Sequence, residues 1–446
     1  MTDDPNPPGP GEAPEDRETA PPAAGVDGEP SGDREAEIAE AAEREQRSTS
    51  RHTPPPDASV TERFVAAITG TKVIVTVLAL VSALILGALV VVLSDEAARE
   101  ALGYVTARPS DFLGAAWSAV FDAYKALLDG SLGGVGQISE TLVAATPLIA
   151  TGLAVAIPLR AGLFNIGAEG QVIAGGMTAG VVGFSLSGLP MLVHLPLAVL
   201  AGLAGAGLMG WLPGVLKART GAHEVITTIM LNNIAALTVT YLLSTNFVRN
   251  PTRSDPISRS IPEAAQFPRF PGMAGYRVNL SIFLVVALAV IAFWLLERST
   301  TGFELNAVGS NPAAATAAGM SPGHAVIIAM AIGGAMAGAG GAAEILGIQG
   351  RVTDGFSAGI GFDGITVALL GRGSVGGTVA AGLLFGALKS GGRAMQAQTG
   401  TSLDLVVVIQ ALIIVFIAAP GLVRAIYRIK AADELGTTQV AKGWGS

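Results

Sequence analysis

Polar side chains in a glycine-rich break between two apolar segments are the first candidates for chemistry in this sequence. The segment RAGLFNIGAEGQVIAGG (160–176) contains Asn165, Glu169 and Gln171. Amide and carboxylate groups at membrane depth are costly to bury, so they favour unwound backbone that lines a polar path. The alternative is a turn between helices, in which these side chains cap exposed backbone amides. The residues alone do not decide between the two.

Two adjacent amides form a second candidate. Asn232 and Asn233 lie near the middle of HEVITTIMLNNIAAL (223–237). Exposing both amide side chains to lipid would cost free energy. We expect one of them to bond to a neighbouring helix and the other to line the path. A purely structural pair is the alternative.

Three ionisable residues lie in later apolar stretches. Glu344 is near the end of a helix of Gly and Ala, and Asp363 lies in GIGFDGITVALLG (359–371). Asp363 is expected either to cap the half-helix that follows it or to line the path. Lys389, at a helix end, is expected to extend its ammonium group to the membrane interface.

The sequence indicates neither an enzyme nor a nucleotide-binding site. The chain has no cysteine and four scattered histidines, so it offers no metal cluster and no serine–histidine signature. Two GxGxxG matches, at 205–210 and 371–376, do not follow a strand of a βαβ unit, and GxxxxGKS and GxxxxGKT are both absent. We therefore expect no cofactor or metal in this chain.

The composition divides the chain into two unlike parts. Residues 1–62 contain 16 Asp and Glu, 5 Arg and 11 of the 25 prolines, which predicts a disordered, acidic, Pro-rich cytoplasmic tail. The remainder has a formal charge of +3, although the whole chain has −8. So little charge excludes an ordinary soluble enzyme, and the lack of a basic face excludes a nucleic-acid binder.

Apolar stretches long enough for a bilayer predict an all-α integral membrane protein. They lie at 73–93, 139–158, 170–188, 191–215, 225–245, 280–296, 323–345 and 403–419. Four glycines interrupt 361–390, which predicts two short or broken helices. We expect a bundle of about ten transmembrane helices, some broken or half-spanning. It would occupy residues 63–430, followed by a short cytoplasmic C-terminal tail at 431–446.

Charge predicts the orientation of this bundle. Basic residues precede the first span and the acidic DEAARE (95–100) follows it, so both termini are expected in the cytoplasm. The loops at 217–224 and 297–322 then lie inside. The loop at 246–279 would lie outside, although it contains five Arg. The amphipathic segment 111–129 is expected to lie along the outer surface.

Four motifs resemble the branched-chain-amino-acid/ribose-type permeases of bacterial ABC importers, and more closely their nucleoside-import branch. The motifs are GLFNIGAEGQVIAGG (162–176), HEVITTIMLNNIA (223–235), ERSTTGFELNAVGSNPAAATAAGM (297–320) and GIGFDGITVALLGR (359–372). The resemblance covers roughly residues 70–430 and implies a permease in the bacterial cell membrane. The candidate substrate-pathway residues are then Asn165, Glu169, Gln171, Asn232, Asn233 and Asp363.

The resemblance also implies partners. These are a second related permease, a cytoplasmic ATP-binding cassette ATPase that binds ATP and Mg²⁺, and an extracellular substrate-binding lipoprotein. The loop at 297–320 resembles the ATPase-coupling segment of the family, and NPAAATAAGM within it predicts a short helix capped by Asn311. The candidate coupling residues are Gly302, Glu304, Asn306, Gly309, Asn311 and Pro312.

Two other functions remain open from the sequence. One is an ABC permease for ribose or another sugar. The other is a secondary transporter driven by a proton or sodium gradient, for which Glu169, Glu344 and Asp363 would serve as proton sites.

Overall fold

The computed structural model describes residues 71–428 except 271, 273 and 274. The predicted tails at 1–62 and 431–446 lie outside these residues. Among the described residues, those from Val75 onward form one compact unit. The described secondary structure is helical, with isolated bridges in place of strands. The all-α prediction is therefore confirmed.

The helices are named here in chain order. They are α1 (Thr71–Ser94), α2 (Glu96–Leu102), α3 (Pro109–Leu132), α4 (Val135–Arg160), α5 (Ala168–Ser185), α6 (Met191–Thr220), α7 (Glu224–Ser244), α8 (Ser281–Arg298), α9 (Thr300–Ser310), α10 (Pro312–Ala317), α11 (Pro322–Ala342), α12 (Ile360–Leu370), α13 (Val375–Thr399), α14 (Leu403–Ala418) and α15 (Pro420–Ile426). A 3₁₀ turn lies at Glu263–Ala265, and a π-helix, Ala343–Gln349, continues α11.

Six described helices are long and apolar enough to cross a membrane: α1, α4, α6, α7, α8, and α11 with its π-helical continuation. A seventh span is formed if α14 and α15, which meet at 87°, are taken together. The central helices are α4 and α11, whose apolar windows are 83% and 72% buried. In α7 only 22% of the window is buried, so most of its surface is open to lipid or a partner.

Small residues let the central helices approach closely. A side chain at Gly334 of α11 would collide with the backbone of Ala206 in α6, and one at Gly338 would collide with Gly202. Gly382 and Gly386 of α13 pack in the same way against α4. The spacings Gly334/Gly338 and Gly382/Gly386, each four residues apart, thus allow tight helix packing.

The region 361–390 differs in part from its prediction. The helix α12 is short, as expected, but α13 is a continuous helix of 25 residues. The break lies between Gly371 and Ser374, where Arg372 and Gly373 have positive φ. Gly376 and Gly377 do not interrupt the helix, because they lie in its first turn and Ser374 Oγ accepts a hydrogen bond from Gly377 N at 3.2 Å.

The amphipathic segment forms the 24-residue helix α3. One face of it packs on α13, where Gly130 contacts Gly391, and Trp117 and Phe121 stack on the exposed face with ring centroids 6.3 Å apart. Its position at the outer membrane surface stays a prediction.

Candidate functional site

The break between α4 and α5 is held by two buried amides. Asn165 is 0% exposed and Gln171 1% exposed. Their side chains bond to each other in both directions, at 2.9 and 3.1 Å. Asn165 also donates to Ala154 O at 3.0 Å and accepts from Gly167 N at 3.1 Å. Asn165 thus forms hydrogen bonds with backbone groups of the unwound segment and of α4. This is the capping role that the second interpretation predicted for it.

Glu169 joins the start of α5 to the start of α12. Its carboxylate accepts hydrogen bonds from Ser357 Oγ at 2.5 Å and from Gly361 N at 2.7 Å. Gly361 N is one of the free amides at the start of α12, and the N-terminal end of a helix favours a negative charge. A side chain at Gly361 would collide with the backbone of Glu169, so this close approach requires glycine. Among the described residues, the hydrogen bonds to this buried carboxylate come from a hydroxyl and a backbone amide.

Asn232 and Asn233 have different surroundings, although they are neighbours in α7. Asn232 is buried; it accepts from Gly170 N at 2.8 Å and donates to Ile166 O at 3.0 Å. Gly170 N is one of the free amides at the start of α5, so Asn232 caps that helix from a neighbouring one. Asn233 is exposed and donates within its own helix to Ile229 O at 3.1 Å. The expected bond to a neighbouring helix is confirmed for Asn232.

A cavity of about 480 Å³ lies beside these groups. Among the predicted pathway residues it brings together Glu169, Asn232 and Asn233. Asn165, Gln171 and Asp363 do not line it. Its size falls within the range of small-molecule sites.

Sequence reasoning missed part of the lining of this cavity. The additional polar and aromatic residues are Thr240, Asp354, Phe356, Ser357 and Phe362. The signal for four of them was the motif VTDGFSAGIGFDG (352–364), in which polar residues alternate with glycines as they do in the α4–α5 break. Thr240 carries no such signal, because a threonine in an apolar helix is common and bonds to its own backbone.

Asp363 lies in an ion pair outside the cavity. Its Oδ2 is 2.5 Å from Lys389 Nζ of α13, and both side chains are about one third exposed. The cap position of α12 is occupied by Gly359, so Asp363 does not cap that helix as one alternative expected. Lys389 was expected at a helix end, and this is wrong because α13 continues to Thr399. Its ammonium pairs with Asp363, and its position relative to the membrane interface stays a prediction.

Glu344 lies in the π-helical continuation of α11. Its Oε1 accepts from Gln349 Nε2 at 2.8 Å, and the same nitrogen lies 3.1 Å from Phe356 O. These contacts connect the π-helix to the loop that forms one wall of the cavity. Glu344 itself does not line that cavity.

The predicted coupling segment forms two short helices, α9 and α10. Asn311 caps α10, its Oδ1 accepting from Ala314 N at 3.0 Å, and Pro312 is the first helical residue. The residues from Gly309 to Ala314 are exposed. The predicted short capped helix is thus confirmed, and its contact with an ATPase stays a prediction.

The remaining coupling candidates shape α9. Ser299 caps this helix by accepting from Gly302 N at 3.0 Å, and Asn306 Nδ2 donates to Gly302 O at 3.0 Å. Glu304 is half-buried in the same helix. A side chain at Gly309 would collide with Arg160 O, where α4 ends. The helix α9 therefore packs directly on the break that positions Glu169.

The loops group at two opposite ends of the bundle. Arg160 at the end of α4 bonds to Glu297 Oε1 at 3.3 Å and to Gly373 O at 3.1 Å, so the loops after α4, α8 and α12 share one end. At the start of α4, Glu140 pairs with Arg277 at 3.0 Å. The loop at 246–279 thus lies at the other end from α9 and α10.

Several arginines of that loop bond within it. Arg249 donates to Arg253 O and Ser254 O at 3.3 and 2.9 Å, and Arg259 donates to Asn246 O at 3.0 Å. Arg253 donates to Asp255 at 2.7 Å, which holds the pKa of that exposed carboxyl below its usual range. These arginines stabilise the loop conformation, a role independent of the side of the membrane.

Known proteins are similar to this chain over about two thirds of its length. The family model for the permease component of the branched-chain amino acid transport system matches residues 137–418. The guanosine ABC transporter permease protein of Bacillus subtilis is 40% identical over 308 residues, covering 69% of this chain and 88% of that protein. The glucose permease protein of Haloferax volcanii and the nucleoside permease protein of Lactococcus lactis subsp. cremoris are each 37% identical. They cover 66% of this chain and 80% and 82% of their own lengths.

No solved structure matches the chain significantly. The family match spans the helices that build the break, the cavity and the segment α9–α10. The chain therefore belongs to the family of permease components of the branched-chain amino acid transport system, and it is a multi-pass permease subunit of an ABC transporter in the cell membrane.

Proposed function

We propose that this permease subunit imports nucleosides by alternating access. The observation that carries the proposal is the cavity of about 480 Å³, in which Glu169, Asn232 and Asn233 meet the exposed ring of Phe362. A nucleoside is neutral and offers ribose hydroxyls and base edges to such groups. The guanosine and nucleoside permeases among the relatives support the same substrate class.

The remaining pathway candidates have supporting roles in this proposal. Asn165 and Gln171 hold the unwound backbone beside the cavity, and Asp363 fixes α12 to α13 through Lys389. Contact of these three residues with substrate would require the helices to rearrange during the transport cycle.

Coupling to ATP is proposed to run through α9 and α10. A partner ATPase, which binds ATP and Mg²⁺, would push the exposed helix α10 when its nucleotide-binding domains close. Because Gly309 of α9 packs on Arg160 O, the movement would reach the α4–α5 break and then Glu169 and Asn232. The two permeases would rock against each other and open the cavity to each side in turn.

The orientation and the partners follow from this mechanism. The end of the bundle with α9 and α10 faces the cytoplasm, and the loop at 246–279 faces outward, where a substrate-binding lipoprotein delivers the nucleoside. The other half of the membrane domain is a second, related permease. In support, Bacillus subtilis has a second guanosine ABC transporter permease protein that also matches this chain, at 27% identity.

The test is reconstitution of the full complex in proteoliposomes, with uptake of guanosine, adenosine, uridine and cytidine measured against ATP hydrolysis. We expect ATP-dependent uptake of at least one nucleoside. Uptake of glucose or ribose alone would refute nucleoside import and support the sugar alternative, for which the Haloferax glucose relative is the observation. Uptake by this chain alone, driven by an ion gradient, would instead support a secondary transporter.

The coupling assignment has its own variants. Glu304→Ala and Asn311→Ala should uncouple ATP hydrolysis from uptake, the latter because it removes the cap of α10. Asp95→Ala, which removes the side-chain cap of the short helix α2, is the matched control. Normal stimulation of hydrolysis by the binding protein in both variants would contradict the assignment.

A further inference from the structure

Asp354 lines the cavity, and the transport mechanism proposed above gives its carboxylate no role. Asp354 is exposed to the cavity, and its Oδ1 accepts from Thr240 Oγ1 of α7 at 2.8 Å. Among the described residues, Thr240 is the one that donates a hydrogen bond to the side chain of Asp354. An ionised carboxylate has about four acceptor positions, so Asp354 retains capacity for further donors.

The loop that carries Asp354 is held firmly at several points. Ser357 donates to Glu169, Gln349 Nε2 donates to Phe356 O, and the ring of Phe356 packs against Gly176 of α5. Gly355 and Ala358 adopt positive φ, which turns the loop tightly. Asp354 is therefore positioned by the fold and is not a freely moving surface charge.

The charge of the lining limits which solutes fit. The cavity is lined by two carboxylates, those of Glu169 and Asp354, and by no Lys or Arg among the described residues. A phosphorylated solute would be repelled, because like charges at short range are unfavourable. Hydroxyl donors on a neutral molecule would be attracted, since hydrogen bonds to a charged acceptor are stronger than neutral ones.

An aromatic surface completes this part of the cavity. The side chain of Phe362 in α12 is 48% exposed and lines the same space. A nucleobase can stack on such a ring whatever pattern of hydrogen-bond donors and acceptors the base has. The cavity thus offers one surface for a base and one for hydroxyl groups.

We propose that Asp354, supported by Thr240, accepts hydrogen bonds from the ribose hydroxyls of a nucleoside whose base stacks on Phe362. The assignment rests on the proposed import of nucleosides and adds a selectivity to it. The permease itself distinguishes ribonucleosides from 2′-deoxynucleosides and from nucleotides, independently of the binding protein.

The experiment compares uptake of guanosine and 2′-deoxyguanosine by the reconstituted complex, with one preparation of binding protein throughout. The ratio of the two uptake rates is compared between the wild type and Asp354→Asn. Because the binding protein is constant, a change in this ratio reports the permease. Asp111→Asn, at an exposed aspartate of α3 that accepts a hydrogen bond from Ser110 Oγ at 3.3 Å, is the matched control.

We expect the wild type to prefer guanosine and Asp354→Asn to reduce this preference about tenfold, as for one hydrogen bond to a charged group. Thr240→Val should reduce it less. Phe362→Leu should slow uptake of both substrates and leave the ratio unchanged. A variant that fails to fold lowers both rates equally, so it cannot imitate a change in the ratio.

The outcomes separate the two proposals. If the wild type carries guanosine but Asp354→Asn has the wild-type ratio, the ribose assignment is refuted and nucleoside import stands. A wild type without preference for guanosine also refutes it. If the wild type carries no nucleoside, both fail together. If Asp111→Asn lowers the preference for guanosine as much as Asp354→Asn does, the effect is one of general charge and the assignment to Asp354 is overturned.

Discussion

The neighbouring amides of α7 allow opposite effects to be predicted for two matched substitutions. Asn232→Leu removes the acceptor of Gly170 N and the donor to Ile166 O, and it leaves both backbone groups unpaired in the interior. Interhelical hydrogen bonds in membrane proteins contribute about 0.6 kcal/mol on average and about 1.7 kcal/mol at most. Losing two of them should destabilise the permease by about 1–3 kcal/mol.

Asn233→Leu is the control for stability and the test for transport. Asn233 is exposed, and among the described residues its side chain bonds to its own helix, so its replacement should change stability by about 0.5 kcal/mol or less. Because it lines the cavity, the same change should slow nucleoside uptake about two- to tenfold, the size of one neutral hydrogen bond.

The assay for stability is unfolding of the purified permease in mixed micelles with increasing SDS, followed by circular dichroism. Uptake is measured in the reconstituted complex at equal amounts of folded protein. Equal unfolding free energies for the two variants would refute the assignment of Asn232 as the cap of α5. Normal uptake by Asn233→Leu would refute the place of Asn233 in the pathway.

Two further predictions concern helix contacts. Gly309→Ala should displace α9 from Arg160 and lower the uptake per ATP hydrolysed. Gly114→Ala, with open space around it, should leave the uptake per ATP unchanged. The same uptake per ATP in both variants would contradict coupling through the contact of α9 with the end of α4. Lys389→Met should destabilise the permease by about 1–2 kcal/mol, less than for a fully buried pair because both side chains are partly exposed. Combining Lys389→Met with Asp363→Asn should restore part of the lost unfolding free energy. If the losses of the two single variants simply add in SDS unfolding, the ion pair does not stabilise the permease.

Residue type alone identifies three polar residues of the cavity, but it does not identify their roles. Glu169, Asn232 and Asn233 were singled out because polar groups at membrane depth are costly, and all three line one cavity. The different roles of Asn232 and Asn233 depend on the rotation of α7 about its axis, which places Asn232 against α5 and Asn233 on the exposed side of the helix. Successive residues of a helix point about 100° apart, and a sequence does not say which direction faces the neighbour.

The sequence by itself determined the membrane class, the helical architecture and the short capped helix α10. Those features depend on local quantities: apolar length, charge, and the Asn–Pro pair that begins a helix. Only the tertiary structure decided that Lys389 pairs with Asp363, that α9 packs on the α4–α5 break, and that Asp354 and Thr240 meet in the cavity. Each of these contacts joins residues distant in the chain, and their approach is set by how glycine-rich helices pack together.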